Sequence, residues 1–597
     1  MTLRFGPFEL DEAGRALLHA QREVALQPRV FDLLVYLTRN RDRVVTKEEL
    51  LDTLWPDVTV TDNSLQRAVS MLRGVLRKGG MDGVIRNMPG RGYRFCIDGV
   101  SELQVAAPGT IEEQAPDLRV QAQRAVAAQA WDKAAALFEA ADTVQLLEGT
   151  DLRQWALALQ CTGRADAALP LLARAVAVHT RAGNVPLAVT DAVTLSGLHF
   201  ERGQAAIAKG WLAQAEDWAC EIEDPATTAL ILWMKSKVAA FDGEPEQALS
   251  LADIAYSTVR HKDAVGIEAL SLAYRGFYRL CLGDTRAGLA DQDLAAAMAL
   301  SSGDIDPIVG GILYCNILWA ARMFGDWARA DQWTLGYQKY CTESGMELTG
   351  SCQLHRSEVL GVRGSLGEAL SRIQDSLARL TGDAPWAIGD ANRVLGDVHA
   401  AIGNDDDALE AYEKAYARGW CPEPGRAMLL LERGEAEAAY ASLERSLIGK
   451  TWWTLQRRGI LFAHLALAAA HTGRREQASA LIEELSGSPD RWPMPSIRAL
   501  TNEAQSVLAH ARDDYDSALR HLHLARQLWS SVDGRVQAVR LRLRIAKLQL
   551  AHDDVRGASA EIHAAQLLAG ELGSRKYGAE CAALRREADI RRSGRAA

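Results

Sequence analysis

"DNSLQRAVSMLRGVLRKGG", residues 62–80, carries Arg67, Arg73, Arg77 and Lys78, with no acid between Asn63 and Gly80. A solvated helix usually mixes both signs of charge, so a one-signed face points to an anionic partner. Wound as a helix, Leu65, Ala68, Val69, Leu72, Val75 and Leu76 fall on one side. Gln66, Arg67, Ser70, Arg73, Gly74 and Arg77 fall on the other. The apolar side needs a neighbour to pack on. The other offers cations and hydrogen-bonding groups that suit a major groove, where Arg can meet guanine and Gln or Asn can meet adenine.

Upstream, "LRFGPFEL" and "RALLHAQREVAL" alternate as small antiparallel strands do. "QPRVFDLLVYLTRN" comes next, with Pro28 suited to a first helical turn and Val30, Leu33, Leu34 and Leu37 as an apolar stripe. "VVTKEELLDTLW" is a second helix, with Thr46 and Glu49 as a capping box. Asp62 or Asn63 can cap the third. Downstream, "GVIRNMPGRGYRFCI" reads as two strands joined by a Gly-Arg-Gly turn. Phosphates would be met by the flanking cations and by Thr46 at the start of its helix.

Charge separates this region from the rest. Residues 1–100 hold 15 Lys+Arg against 13 Asp+Glu, and the remainder 52 against 64. From 63 to 95, Arg67, Arg73, Arg77, Lys78, Arg86, Arg91 and Arg94 face only Asp82. "VSELQVAAPGTIEEQAPD", residues 100–117, has no helical period and reads as a linker between a domain at 1–99 and the remainder of the chain.

Beyond it a small residue recurs at 134, 168, 208, 248, 288, 330, 369, 408, 439, 478, 518 and 558, mostly 39 to 42 apart. Turns such as "TGRAD", "IGNDD" and "TGRRE" precede many of these positions. One amphipathic hairpin cannot bury its own face, so the period predicts hairpins stacked into an α-solenoid over 118–590, then a frayed basic tail, 591–597. The fold class expected is mainly α: a small α+β head followed by an all-α repeat array.

Composition excludes other classes. A chain of 597 residues is too long for one core. The start lacks the layout of a secretory signal, and the apolar run "GGILYCNILWAARMF" is too short to span a bilayer, so a cytoplasmic protein with no membrane partner is expected. Nine scattered cysteines without a CxxC pair fit a reducing compartment. Cys352 and His355 have ligand spacing but no second pair nearby, so no metal is expected. "IGKTWW" ends like a phosphate loop, yet Glu444 stands where its first glycine belongs and the preceding segment reads as helix. No cofactor, catalytic residue or enzyme activity is expected.

Three ordered segments carry a resemblance: "LQPRVFDLLVYLTRNRDRVVTKEELLDTLW", "DNSLQRAVSMLRGVL" and "IRNMPGRGYRF". Together residues 3–97 resemble the winged helix-turn-helix of OmpR/PhoB-type regulators. The resemblance implies double-stranded DNA as partner, with Asn63, Arg67, Ser70 and Arg73 at the major groove and Arg91 at the wing. With Thr46, Gln66, Arg77 and Lys78 these make the expected DNA-binding set. Many members carry Arg before the first wing glycine, where this chain has Pro89. The loop "WPDVTVTDN" corresponds to the segment that can touch RNA polymerase in relatives, which favours activation. The domain order resembles CadC- and HilA-type regulators, without the membrane helix of the first. "GNDDDALEAYEKAYARG" resembles tetratricopeptide repeats, and the longer copies resemble MalT/LuxR-type large regulators, whose ATPase module is absent here. The expected function is therefore a transcriptional regulator, acting without phosphoryl control, whose repeats sense a protein or small-molecule effector or self-associate as a homodimer. A protein-interaction scaffold with a winged helix that has lost DNA binding is the alternative.

Overall fold

In the computed structural model the chain divides into two units, Met1–Gln114 and Ala115–Ala597. The structure describes residues 2–11, 16–19, 22–24, 26–54, 62–97, 101–102, 111–301, 305–346, 350–380, 385–449 and 452–596.

The first unit opens with β1 (Thr2–Phe5), β2 (Phe8–Asp11), β3 (Ala16–His19) and β4 (Arg22–Glu23). Then come α1 (Pro28–Arg39), α2 (Lys47–Leu54), α3 (Asp62–Lys78), β5 (Ile85–Met88), β6 (Gly92–Phe95) and β7 (Ser101–Glu102). One sheet runs β4-β3-β2-β1-β7 and a two-stranded ribbon pairs β5 with β6. Leu3 lies opposite Leu10, Phe5 opposite Phe8, and Leu10 opposite Leu17. Since strand side chains alternate, this register puts all five on one buried face. Val30, Leu33, Leu34 and Leu37 of α1 join that core with Leu65, Val69, Leu72 and Leu76 of α3. The helix that decides the reading thus docks through its apolar side.

The second unit is a stack of antiparallel helices, paired as in Gly149–Cys161 with Ala165–Arg181 and Pro495–His510 with Tyr515–Ser530. Every one of the twelve recurring small positions is buried. A second series stands twelve residues before each: Ala122, Ala156, Ser196, Ser236, Gly276, Leu318, Ser357, Gly396, Ala427, Ala466, Ser506 and Ala546. All but Leu318 are small, because these are the points where the two helices of a hairpin cross. Ser196 Oγ donates to the Ala208 carbonyl at 2.8 Å and Ser506 Oγ to the Ala518 carbonyl at 2.9 Å. At Gly276 and Gly288 the approach is closer still: a Cβ on Gly288 would meet the Gly276 carbonyl oxygen at 2.7 Å.

Stacking also curls the array until distant hairpins touch. Trp131 Nε1 donates to the Ser344 carbonyl at 2.8 Å, Trp319 Nε1 to Gln456 at 2.6 Å, and Ser574 Oγ to the Ala401 carbonyl at 2.6 Å. Arg363 reaches Asp533 at 2.9 Å. Such contacts bury polar groups inside the unit. Arg322 and Arg393 share Glu358 and Asp390, and Glu503 pairs with both Arg540 and Arg544.

Three expectations need correction. Residues 100–117 are not one linker: Ser101–Glu102 pairs with β1, and a helix, Ile111–Ala127, covers 111–117. Pro116 lies within that helix without ending it. The basic end is not a frayed tail either. Helix Arg575–Ala596 runs through it, with Arg591 donating to the Leu550 carbonyl and pairing with Glu587 at 2.8 Å. The apolar run at Gly310 lies within an 18-residue helix, Pro307–Phe324, which reaches the length of a short span. It is 72% buried inside the unit, and its Arg322 joins the internal ion pairs, so it is a core helix. "IGKTWW" is described only in part: Lys450 and Thr451 lie outside the described residues, and Glu444 sits in helix Ala436–Ser446.

The buried polar groups make stability depend on pH. His464 donates its Nδ1–H to the Ile460 carbonyl at 2.7 Å. Burial pushes its titration down to about 4, against that bond and Glu503, while Arg540 and Arg457 repel the cation. A depressed histidine stabilises the fold above its unfolded value and ceases to do so as pH falls from about 6.5 toward about 4. Between about pH 6.5 and about pH 5, wild type should lose up to about 1.4 kcal/mol per pH unit relative to His464→Gln. Urea unfolding of both proteins across that range measures the difference; parallel curves would contradict it.

Candidate nucleic-acid interface

Thr46 and Glu49 fix the start of α2 against α1. Thr46 Oγ1 accepts from the Glu49 amide at 3.2 Å, and Glu49 accepts in return from the Thr46 amide. Glu49 also takes Arg43 Nη1 at 2.9 Å and the Tyr36 hydroxyl at 2.8 Å, and the Arg43 bond holds its carboxyl down to about 2. This half-buried acid beside the helix start is therefore neutralised by Arg43. Thr46 stays exposed with its own O–H free in valence to donate to a phosphate.

On α3, Gln66, Arg67, Ser70, Arg73, Arg77 and Lys78 are all exposed, opposite the buried apolar side. Helix α3 begins at Asp62, where it was expected to begin. The side chains of Asp62 and Asn63 lie outside the described set, as do residues 55–61 of "WPDVTVTDN". The acid-free face is thus present as a continuous ridge, with one change of role.

That change concerns Arg73, at the edge of the ridge nearest the ribbon. The Cys96 amide donates to the Val84 carbonyl at 2.7 Å, so the next carbonyl, Ile85, points to the opposite, open edge of β5. Arg73 fills it: Nε and Nη2 donate to that oxygen at 3.0 and 2.7 Å. Its guanidinium carbon also sits 6.0 Å from the centre of the buried Tyr93 ring. On the other side of the ribbon, Val45 and Tyr93 exchange two amide–carbonyl bonds, each 2.9 Å. Gly92 makes this approach possible, since a Cβ there would meet the Val45 carbonyl oxygen at 2.0 Å and its φ is +124°. A two-stranded ribbon is marginal alone. Here it is clamped on both edges, to α3 by Arg73 and to the start of α2 by Val45. Arg73 is a positioning residue first, a reach no helical-wheel reading could reveal.

Sequence reasoning also left two cations out of its set. Arg86 and Arg94 lie directly opposite each other across the ribbon, both exposed. Like charges so paired repel, and an anion lying across them removes the penalty. The signal was available as Arg at matched positions of two predicted strands. Arg91 is exposed at the turn, its amide closing onto the Met88 carbonyl at 2.9 Å. Among the described residues of 63–95 the one acid is Asp82, which turns back onto the Gly83 amide at 3.1 Å.

Three helices with the third exposed, followed by a β-ribbon packed beside it, define a winged helix-turn-helix. Residues 21–95 match the family described as "Transcriptional regulatory protein, C terminal". Similar proteins include the transcriptional activator CadC of Escherichia coli, 29% identical over 124 residues, which are 19% of this chain and 24% of CadC. The transcriptional regulator HilA of Salmonella typhimurium is 34% identical over 91 residues, 15% of this chain and 16% of HilA. The phosphate regulon regulator PhoB of Rhizobium meliloti is 37% identical over 92 residues, 15% of this chain and 40% of PhoB. The chain thus spans well under half of each relative. Among solved structures, a chain of the APC/C hetero-tetramer Cut9-Hcn1 matches 79% of this chain and 96% of its own length, at 15% identity and a TM-score of 0.30.

If Arg73 clamps the ribbon, Arg73→Ala should speed hydrogen exchange of the β5 and β6 amides by about tenfold, the weight of one lost hydrogen-bonded contact. Arg67→Ala should leave it unchanged. Equal exchange in all three proteins would show that the clamp carries no weight.

Proposed function

We propose that this protein is a sequence-specific DNA-binding transcriptional regulator whose helical repeats act as its sensor. The observation that carries this reading is the pairing of an acid-free ridge on α3 with a ribbon clamped beside it that presents Arg86, Arg91 and Arg94. A major groove admits one helix, and Arg67, Gln66 and Ser70 project where base edges would lie. Arg77, Lys78, Arg86, Arg94 and Thr46 would meet phosphates on either side, which orients the head without reading sequence. Arg91 at the turn is placed to follow the backbone into the adjacent minor groove. Pro89, where many relatives of this type carry Arg, leaves Arg91 as the wing's leading cation.

One head offers few contacts, so its affinity at cellular salt is weak. Two heads on neighbouring half-sites gain through effective concentration, which makes homodimerisation through the repeats the natural mode of control. An effector bound by the repeats would change how two heads are presented. Activation is favoured over repression because CadC, one similar protein, is a transcriptional activator. A regulator working on chromosomal DNA in this way acts in the cytoplasm, with RNA polymerase as a further partner.

The full-length protein, used to select fragments from its own genomic DNA, should retain a small set of sequences. On one such duplex, log Kd against log salt should be steep, and Arg77→Ala or Arg86→Ala should each lower the slope by about 1. Arg67→Ala should weaken the selected duplex by about tenfold or more while changing random-sequence binding much less. Binding that is absent, or indifferent to salt, would return the chain to the scaffold reading.

A further inference from the structure

Where the curled repeats close on themselves they leave a partly open cavity of about 200 Å³. Its wall is drawn from hairpins far apart in sequence. Arg322 comes from helix Pro307–Phe324, Arg393 from Pro385–Ile402, Arg457 from Trp452–His471, Arg540 from Arg535–Ala551 and Lys576 from Arg575–Ala596. The carboxylates Glu358, Asp397 and Glu432 and apolar surface from Met323, Trp327, Ile460, Leu500 and Trp529 complete it.

Four of the five cations are compensated. Arg322 meets Asp390 at 2.9 Å and also Glu358, and Arg393 meets Glu358 at 2.8 Å and Asp397 at 2.9 Å. Arg540 meets Glu503 at 2.6 Å, and Lys576 pairs with Glu432. Arg457 differs. It is 4% exposed, its Nη1 gives one long bond of 3.3 Å to the Cys421 carbonyl, and its Nη2 is buried with no partner among the described residues. No ion pair to Arg457 occurs among them. A buried guanidinium with an idle N–H on a cavity wall is costly unless an anion occupies the cavity.

We propose that the cavity binds a small organic monocarboxylate, its carboxylate on Arg457 and its carbon body against the apolar wall. Arg457 forms no ion pair among the described residues and keeps an idle N–H, and a guanidinium fork is the natural carboxylate receptor. Size limits the body: a dry cavity of about 150 Å³ accepts benzene, so this one takes a single ring or a short chain beyond the carboxylate. Because the wall joins hairpins from separate turns of the array, occupation ties those turns together. That the bound acid acts as the effector rests on the proposed function; the binding itself does not.

The test uses full-length protein without DNA, titrated calorimetrically with benzoate, phenylacetate and hexanoate, each beside its neutral amide, and with inorganic phosphate. At least one carboxylate should bind saturably below about 10 mM, quench tryptophan fluorescence through Trp327 and Trp529, and raise Tm with the logarithm of its concentration. Its amide should bind about tenfold more weakly or not at all. Arg457→Met should abolish carboxylate binding while leaving the Tm of the unliganded protein equal or higher, since an unpaired buried charge has been removed. No saturable carboxylate, amides equal to acids, phosphate preferred to all three acids, or a lower Tm in unliganded Arg457→Met would each overturn the proposal. DNA binding measured separately on the same preparations distinguishes failure here from failure of the regulator reading.

Discussion

The hydrogen bonds from Arg73 to the Ile85 carbonyl tie the exposed helix to the ribbon beside it. Without them β5 would end in an unfilled edge, and the ribbon would be held by the Val45–Tyr93 exchange on its far side and by Ile85, Tyr93 and Phe95 in the core. With both edges held, the α3 ridge and the three ribbon arginines form one rigid cationic surface. Rigidity matters because DNA offers its phosphates and base edges at fixed spacings, and a surface already in shape loses little entropy on docking. The repulsion between Arg86 and Arg94 is tolerable for the same reason: their strands cannot drift apart.

The repeats obey a different constraint. Helices in a hairpin approach closely only where neither carries a large side chain. Two series of small residues, twelve apart, therefore run the length of the array. Close crossing at each hairpin lets the stack curl tightly enough for Trp319 to reach Gln456 and Ser574 to reach Ala401. Curling in turn encloses polar side chains that an open array would leave in water. Most find opposite charges, as Arg393 does with Glu358, Asp390 and Asp397. Among the described residues Arg457 forms no ion pair, and its charge acts on Asp397 only at longer range.

Much of this was legible because it is periodic. The two sides of α3, the strand alternation at Leu3, Phe5, Phe8 and Leu10, and the Thr46–Glu49 box all depend on residues close in sequence, and each took its expected place. So did the small position of each repeat. What escaped were contacts across distance. Arg73 looks like any other ridge cation until β5, twelve residues on, presents a carbonyl to it. Pro116 suggested a break, but the helix around it continues into residues packed at Ala122 and Ala125. The final arginines looked frayed because the partner of Arg591, the Leu550 carbonyl, belongs to the preceding hairpin. Arg457 carried no signal at all, since lacking an ion pair among the described residues is a property of the folded surroundings.

The central claim is that the α3 ridge enters a major groove. Guanine N7 lies there and is methylated by dimethyl sulfate unless something covers it. On a duplex selected by the full-length protein, N7 should be protected at guanines within the site, with protection lost at one of them in Arg67→Ala while the others stay covered. Tight, salt-dependent binding that leaves every guanine N7 in the site open to methylation would contradict it.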